Sequence, residues 1–327
     1  MCMFIEILLF ILGLVLLVKG GGWFVDGAVG VAHRFHMPEL LIGATVVSVG
    51  TTIPEVMVSS AAALTEGASD MAYGNALGSI ICNTALIAAI TITFAPAAIE
   101  KKALRTPIIF FFIAAAFYST VAYATGYFSR STGIILLLLF VIYMAVTLLQ
   151  AKKTKAPAQA EASCSEPQKE APVFINIIKL VIGAAVIAIG ADLLVDNGTL
   201  IAEDLGVPES VIALTFVALG TSLPELVTAI SSLMKGHTDL SLGNIIGANL
   251  FNLVLVSALA CTLAPFNIPQ EKTLLGMNAS LLVDIPVMIF VSLLMCVPAL
   301  IKGRLYRAQG VILLITYVAY TIFQLFC

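Results

Sequence analysis

Gly50-Thr51-Thr52-Ile53-Pro54-Glu55 lies inside a long apolar stretch, and 170 positions later Gly220-Thr221-Ser222-Leu223-Pro224-Glu225 repeats it in a second one. A glutamate and a helix-breaking proline are each costly in the middle of a membrane segment. Their joint recurrence at a fixed offset predicts an ion site with two-fold pseudosymmetry at the centre of a bilayer.

The match extends beyond the motif. Val25-Asp26 pairs with Val195-Asp196 and Pro38-Glu39 with Pro208-Glu209, and about half the positions of 42–55 match those of 212–225. One residue shorter in the next loop, Gly74-Asn75 pairs with Gly243-Asn244, Gly78 with Gly247, and Asn83 with Asn252.

Composition places nearly all of the chain in lipid. Hydrophobic residues make up 60% and charged ones 11%, and mean hydropathy is +1.08. Such values exclude a soluble domain. The net charge of -3 carries no nucleic-acid-binding stripe. Apolar windows give ten spans, at roughly 3–31, 40–65, 71–93, 106–125, 131–150, 173–198, 209–234, 240–263, 284–301 and 306–326. All are expected to be helices, because an open strand leaves backbone groups unsatisfied in hydrocarbon. The uncleaved first window is read as a span rather than a signal peptide, since it lacks a basic flank and carries Glu6.

The predicted architecture is therefore an all-α membrane protein of two five-helix repeats, 1–150 and 173–327, with broken second, third, seventh and eighth helices. Residues 151–172, rich in Lys, Ala, Glu, Pro and Ser, read as a flexible linker. Five is odd, so the second repeat enters the membrane from the opposite side, which makes the repeat inverted. With ten spans and both termini outside, Lys101, Lys102, Arg105, Lys152, Lys153, Lys155, Lys235, Lys302, Arg304 and Arg307 fall on the cytoplasmic side with the linker. Lys19 lies within the first span, where it would snorkel, line a cavity or pair with an intramembrane acid.

Glu55, Asn83, Glu225 and Asn252 each fall near the middle of a span, and the pseudo-two-fold would bring them together. Two carboxylates, two amides and neighbouring hydroxyls form a hard-oxygen donor set, without the clustered His or Cys of a softer metal site. Two adjacent carboxylates repel one another in low dielectric, and one divalent cation cancels both. Several monovalent ions or protons do the same in its absence, a mutual exclusion that underlies exchange rather than leak. Pro54 and Pro224 free carbonyls near Ser48, Thr51, Ala218 and Thr221.

Structural roles compete at several positions. Asn83 and Asn252 would serve equally as interhelical hydrogen-bonding groups, and Thr51, Thr52, Thr221 and Ser222 could bond back to their own helices. The GNxxG segments are read as packing and helix-break devices, Asp26 and Asp196 as interfacial or gate residues, and Asp284, two before Pro286, as a helix N-cap. The six scattered cysteines are read as apolar filler or tail thiols.

The paired motifs, with GNxxG and a later asparagine downstream of each, resemble the sodium/calcium exchanger family within the cation/Ca²⁺ antiporters. The resemblance covers both repeats and the ten-span layout, most of the chain outside the linker. It implies exchange of Na⁺, or in other branches K⁺ with Na⁺ or H⁺, for Ca²⁺. Glu55 and Glu225 would bind Ca²⁺ and Na⁺ in turn, and Thr51 and Thr221 would offer backbone oxygens. Thr52, Ser222, Ser79 and the carbonyls of Ser48 and Ala218 would line flanking Na⁺ sites, with Asn83 and Asn252 as the second polar pair. The first and sixth spans would slide across the core.

Two positions depart from the pattern. Ala248 replaces the hydroxyl that Ser79 supplies in repeat one, and Asn252 stands where K⁺-dependent members carry Asp. The implied activity is antiport of Na⁺ for Ca²⁺ by alternating access, with H⁺/Ca²⁺ or K⁺-dependent exchange as the alternative, a cation channel further off, and no enzyme. Expected partners are the two ions as substrates and the lipid bilayer, with no nucleic acid, no obligate protein partner and no cofactor.

Overall fold

The computed structural model describes residues 2–35, 37–64, 69–96, 100–153, 172–205, 220–270, 273–274 and 276–326. Ala218, the first part of the predicted seventh span (209–219) and all but the ends of the linker lie outside these residues. Among the described residues, and counting a π-helical turn with the α-helix that contains it, there are ten helices. They are α1 (Cys2–Phe35), α2 (Glu39–Leu64), α3 (Met71–Phe94), α4 (Lys101–Thr125), α5 (Arg130–Lys153), α6 (Val173–Asp204), α7 (Leu223–Met234), α8 (Thr238–Leu263), α9 (Ser280–Lys302) and α10 (Arg307–Phe326). Eight of them are long and apolar enough to cross a membrane by length and composition.

The predicted interruptions take a specific form. In α2, α3 and α8 the chain widens into a π-helical turn instead of unwinding: Gly43–Val47, Asn83–Ala88 and Asn252–Ser257. A π turn shifts the hydrogen-bond ladder by one residue and disturbs its carbonyls. Serines satisfy two of these: Ser48 Oγ donates to Gly43 O at 2.7 Å and Ser257 Oγ to Asn252 O at 2.9 Å, each five residues back. Pro54 sits inside the continuous helix that follows the first π turn, whereas Pro224 stands in the opening turn of α7, where its missing N–H costs nothing. The prolines of the repeat are thus equivalent in sequence and different in local geometry.

Short contacts fix which loops share a face. Tyr127–Phe128 (β1), after α4, pairs antiparallel with Phe266–Asn267 (β2), after α8. Tyr123 donates to the carbonyl of Leu281 on the same side. On the opposite side Lys101 Nζ donates to Ile301 O at 2.6 Å, and His237, between α7 and α8, meets Glu39 at the start of α2. Thr106, one turn into α4, bonds Gln150 near the end of α5, so α5 ends on this second face. This arrangement agrees with a ten-span count. Asp284 departs from the N-cap expectation. It continues the helical turn Ser280–Asp284 with helical dihedrals, and its carboxylate accepts from Tyr320 Oη at 3.1 Å and Gln324 Nε2 at 2.7 Å on α10.

Packing divides the bundle in two. Most helices contribute to one large apolar core, while α1 and α6 form a second cluster with Ile42, Val47 and Leu240. Small residues let α1 and α6 approach to backbone contact, as membrane helices must when lipid removes the hydrophobic drive for association. A Cβ on Gly13 would stand 2.9 Å from Gly190 O, one on Gly20 2.9 Å from Ile187 N, and one on Gly27 2.6 Å from Asn176 O. From the other side, a Cβ on Gly183 would stand 2.5 Å from Phe24 N. Gly13, Gly20 and Gly27 recur every seventh residue, as do Gly183 and Gly190, the period of a long helix–helix seam. Lys19, instead of pairing with an intramembrane acid, is exposed on the outside of α1.

Gly183→Ala should therefore prevent recovery of monodisperse protein from detergent, because the obstructing atom is backbone. Gly22→Ala, whose Cβ would meet nothing nearer than Lys235 Nζ at 3.7 Å, should leave the elution profile unchanged. The two results exchanged would refute the seam.

A second test concerns His237. Its Nδ1 lies 3.0 Å from both carboxylate oxygens of Glu39, and this hydrogen bond raises the imidazole pKa above its ordinary value. A raised pKa contributes stability that is complete below the unfolded-state value and fades as pH rises through the folded one. His237→Gln should lower the thermal unfolding midpoint at pH 6 and have less effect at pH 9. The cost should not exceed about 1 kcal/mol, since the two side chains are 28% and 23% exposed and solvent screens the pair. An equal loss at both pH values would contradict the assignment.

Candidate ion-binding site

The two halves meet through matched polar contacts. Thr51 Oγ1 donates to Asn244 Oδ1 at 3.2 Å, and Thr221 Oγ1 donates to Asn75 Oδ1 at 3.1 Å. Each bond joins the motif of one repeat to the GNxxG segment of the other. Asn75 does more: its Nδ2 donates to the backbone O of Glu55 at 3.2 Å and to Ser59 Oγ at 2.8 Å. Asn244 lacks that last partner because Ala229 stands where repeat one has Ser59, and its Nδ2 is left without an acceptor. The GNxxG segments were expected to be packing devices. Gly243 and Gly247 do approach Leu40 and Ala44 at backbone distance, but the asparagines between the glycines also position the motif threonines.

Glu55, Glu225, Asn83 and Asn252 are completely buried, and the charge of Glu225 acts on Glu55. Both carboxylate oxygens of each glutamate and both polar atoms of each asparagine have no hydrogen-bond partner among the described residues. The buried hydroxyls of Thr52 and Ser222 are in the same condition. None of the ion pairs among the described residues involves either glutamate. An orphaned buried carboxylate is strongly unfavourable, so this cluster of oxygens fits a cation as its counter-charge.

The remaining predicted residues divide by role. Ser48 is buried, but its hydroxyl is committed to Gly43 O and to Asn244 O at 2.9 Å, which leaves its carbonyl as the group to offer. Ser79 is buried on α3, one turn before Asn83, and lines a cavity of about 1530 Å³. The cavity reaches from Thr51, Asn75 and Thr221 to Asp196 and Asp284. Its lining includes Pro269, Ser280 and Asp284 near the β1–β2 face and also Val46, Val49 and Leu180 toward the linker face. Cys82, buried next to Asn83, also lines it and accepts a weak bond from Tyr317 Oη at 3.9 Å.

Two five-helix halves of opposite sense, with matched acids at their junction and a cavity lined by both motifs, define a membrane carrier built for alternating access. A family model described as "Sodium/calcium exchanger protein" matches residues 5–149 and 175–326. The chain belongs to the sodium/calcium exchanger family. Inner membrane protein YrbG of Escherichia coli is 35% identical to it over 280 residues, covering 85% of this chain and 86% of that protein. Sodium/calcium exchanger MaX1 of Methanosarcina acetivorans is 29% identical, with 97% and 98% covered. Among solved structures, the sodium-calcium exchanger NCX_Mj superposes with a TM-score of 0.80 at 28% identity, covering 96% of this chain and 97% of that one.

The matched contacts make an ordered prediction. Asn244→Leu leaves the Thr51 hydroxyl without its acceptor on the other repeat, a cost of about 1–3 kcal/mol. Asn75→Leu leaves Thr221, Ser59 and the Glu55 carbonyl without theirs, so it should lower the unfolding midpoint in detergent by more. Equal or reversed shifts would show that the asparagines are not the organising groups.

Proposed function

We propose that the chain exchanges Na⁺ for Ca²⁺ across a membrane, with Glu55 and Glu225 as the shared seat of both ions. The observation that carries this reading is the set of orphaned oxygens: four carboxylate oxygens and two amide oxygens, buried together with no protein cation among them. A single Ca²⁺ balances both acids, and Na⁺ ions balance them only by entering in its place. Neither state leaves an unpaired charge, and a mixed or empty one does, so each ion leaves as the other arrives.

Within this reading Thr51 and Thr221 contribute backbone oxygens to Ca²⁺, held in register by Asn244 and Asn75. Thr52, Ser222, Ser79 and the carbonyls of Ser48 and Ala218 serve flanking Na⁺, with Asn83 and Asn252 closing the site. Ala248 removes one hydroxyl from the second repeat and reduces the donors available to Na⁺ there. Asn252, an amide rather than an acid, weighs against K⁺ as a co-substrate. The names of MaX1 and NCX_Mj, whose matches run nearly end to end, support Na⁺ over H⁺ as the coupling ion. The basic residues near 101–105, 152–155, 235 and 302–307 support a cytoplasmic linker face, with both termini outside.

Purified protein in vesicles loaded with Na⁺ should take up radiolabelled Ca²⁺ when diluted into Na⁺-free buffer. Glu55→Gln or Glu225→Gln should reduce that uptake more than about tenfold, since either leaves one carboxylate to balance two charges. A pH gradient imposed without Na⁺ should drive none. Uptake driven by protons alone, or near-normal flux in either glutamine variant, would overturn the assignment.

A further inference from the structure

Three more hydroxyls of the second repeat are completely buried and have no hydrogen-bond partner among the described residues: Thr228 and Ser232 on α7 and Ser241 on α8. Two buried helix threonines of repeat one bond back to the carbonyl four residues earlier, Thr45 to Leu41 at 2.7 Å and Thr91 to Ile87 at 3.0 Å, whereas Thr147 on α5 makes no such bond. The hydroxyls at 228, 232 and 241 make no such bond.

Their placement is ordered. Glu225, Thr228 and Ser232 follow the i, i+3, i+7 spacing of one helix face, so Ser232 stands about 10 Å along α7 from the glutamate. On the neighbouring α8, Ser241, Ala248 and Asn252 share a face by their i, i+7, i+11 spacing, with Asn252 at the central site. Both helices run from the centre to the face where His237 meets Glu39. The three hydroxyls therefore mark a file from the ion site to the linker face, and none of them lines the cavity described above.

Repeat one carries Val58, Ala62 and Ala72 at the matching positions, and the two alanines belong to the apolar core. Val58, three residues beyond Glu55 toward the β1–β2 face, lines the cavity. In an inverted repeat its counterpart, Thr228, occupies the equivalent place on the other side of the membrane.

We propose that Thr228, Ser232 and Ser241 line the route by which a cation passes between the central site and the linker face, their oxygens standing in for part of its water shell. Uncharged hydroxyls suit passage rather than capture: they offer hard oxygens without the charge that would hold the ion. The ligand class is a hard cation, Ca²⁺ or Na⁺. The proposal rests on the reading of Glu225 as an ion-binding residue.

The test uses Ser232→Cys in the full chain, a change of one atom at a packed position. Membrane vesicles of each orientation are treated with a membrane-impermeant methanethiosulfonate, and modification is read by peptide mass spectrometry. Cys164, in the linker sequence, reports which face the reagent reached, and Cys261 and Cys296, buried outside the route, report non-specific access. Ser232→Cys should react from the side on which Cys164 reacts, at least about tenfold faster than from the other, as expected for a water-accessible route. Reaction from the opposite side, or from neither, overturns the proposal.

Independently, replacing the three residues with their repeat-one counterparts (Thr228→Val, Ser232→Ala, Ser241→Ala) should slow exchange about tenfold while leaving Ca²⁺ affinity at the β1–β2 face unchanged. Wild-type exchange in that variant overturns it as well; should the variant not fold, the labelling result decides. Glu225→Gln in the same vesicles separates the two readings, because exchange that survives it sinks the central site whatever the labelling shows.

Discussion

Two carboxylates buried side by side without a protein cation set the terms for the rest of the molecule. Neither Glu55 nor Glu225 can be left charged and uncompensated in a medium of low dielectric. A lysine in reach would solve the problem permanently and abolish transport. Among the described residues the cations lie away from the site: Lys235 pairs with Asp26 at 2.6 Å, and Lys19, although within the span of α1, is exposed on its outside. Compensation is left to diffusible ions, and the requirement that some ion always be present ties the departure of one to the arrival of another.

Holding such a pair demands a rigid surround, and the hydrogen bonds supply it from both sides. Thr51 and Thr221 are each anchored to an asparagine of the opposite repeat, and Asn249 Nδ2 donates to Thr84 Oγ1 at 2.7 Å beside the second polar pair. The π turns that begin at Asn83 and Asn252 act in the same place, turning those side chains relative to the α-helices that carry them. Against this stands the α1–α6 pair, joined backbone to backbone along its glycines and clustered apart from the main core. A pair tied more tightly to itself than to its neighbours is what a gating element needs, since it can shift as one body without dismantling the site.

Much of this was legible in the chain itself, for a physical reason. Charge in a membrane is so costly that Glu55 and Glu225 stand out against their surroundings, and an odd number of spans per repeat fixes inversion by counting. What depended on side-chain geometry was not legible. Asn75 and Asn244 looked like packing elements because of their flanking glycines, of which only Gly243 and Gly247 do pack, although their fixed distance from Thr51 and Thr221 in both repeats was available as a signal. Gly13, Gly20 and Gly27 carried a seven-residue period that passes unnoticed in so apolar a segment. Asp284 had the spacing of an N-cap, but tertiary contact with Tyr320 and Gln324 on α10 overrode it. The form of each helix interruption was equally hidden, since a π turn has no composition of its own.

The differences between the repeats are as informative as their likeness. At the centre the acids and asparagines match, because both halves must present the same charge to the same ion. Away from the centre the match fails: Ser79 faces Ala248, Ser59 faces Ala229, and Val58, Ala62 and Ala72 face Thr228, Ser232 and Ser241. An inverted repeat assigns these outer portions to opposite membrane faces. The shared site must be symmetric enough to serve both directions, whereas each approach meets a different solution. Buried hydroxyls stand at different positions on the two approaches, Ser59 and Ser79 on one and Thr228, Ser232 and Ser241 on the other, and that inequality is compatible with two-fold chemistry at the middle.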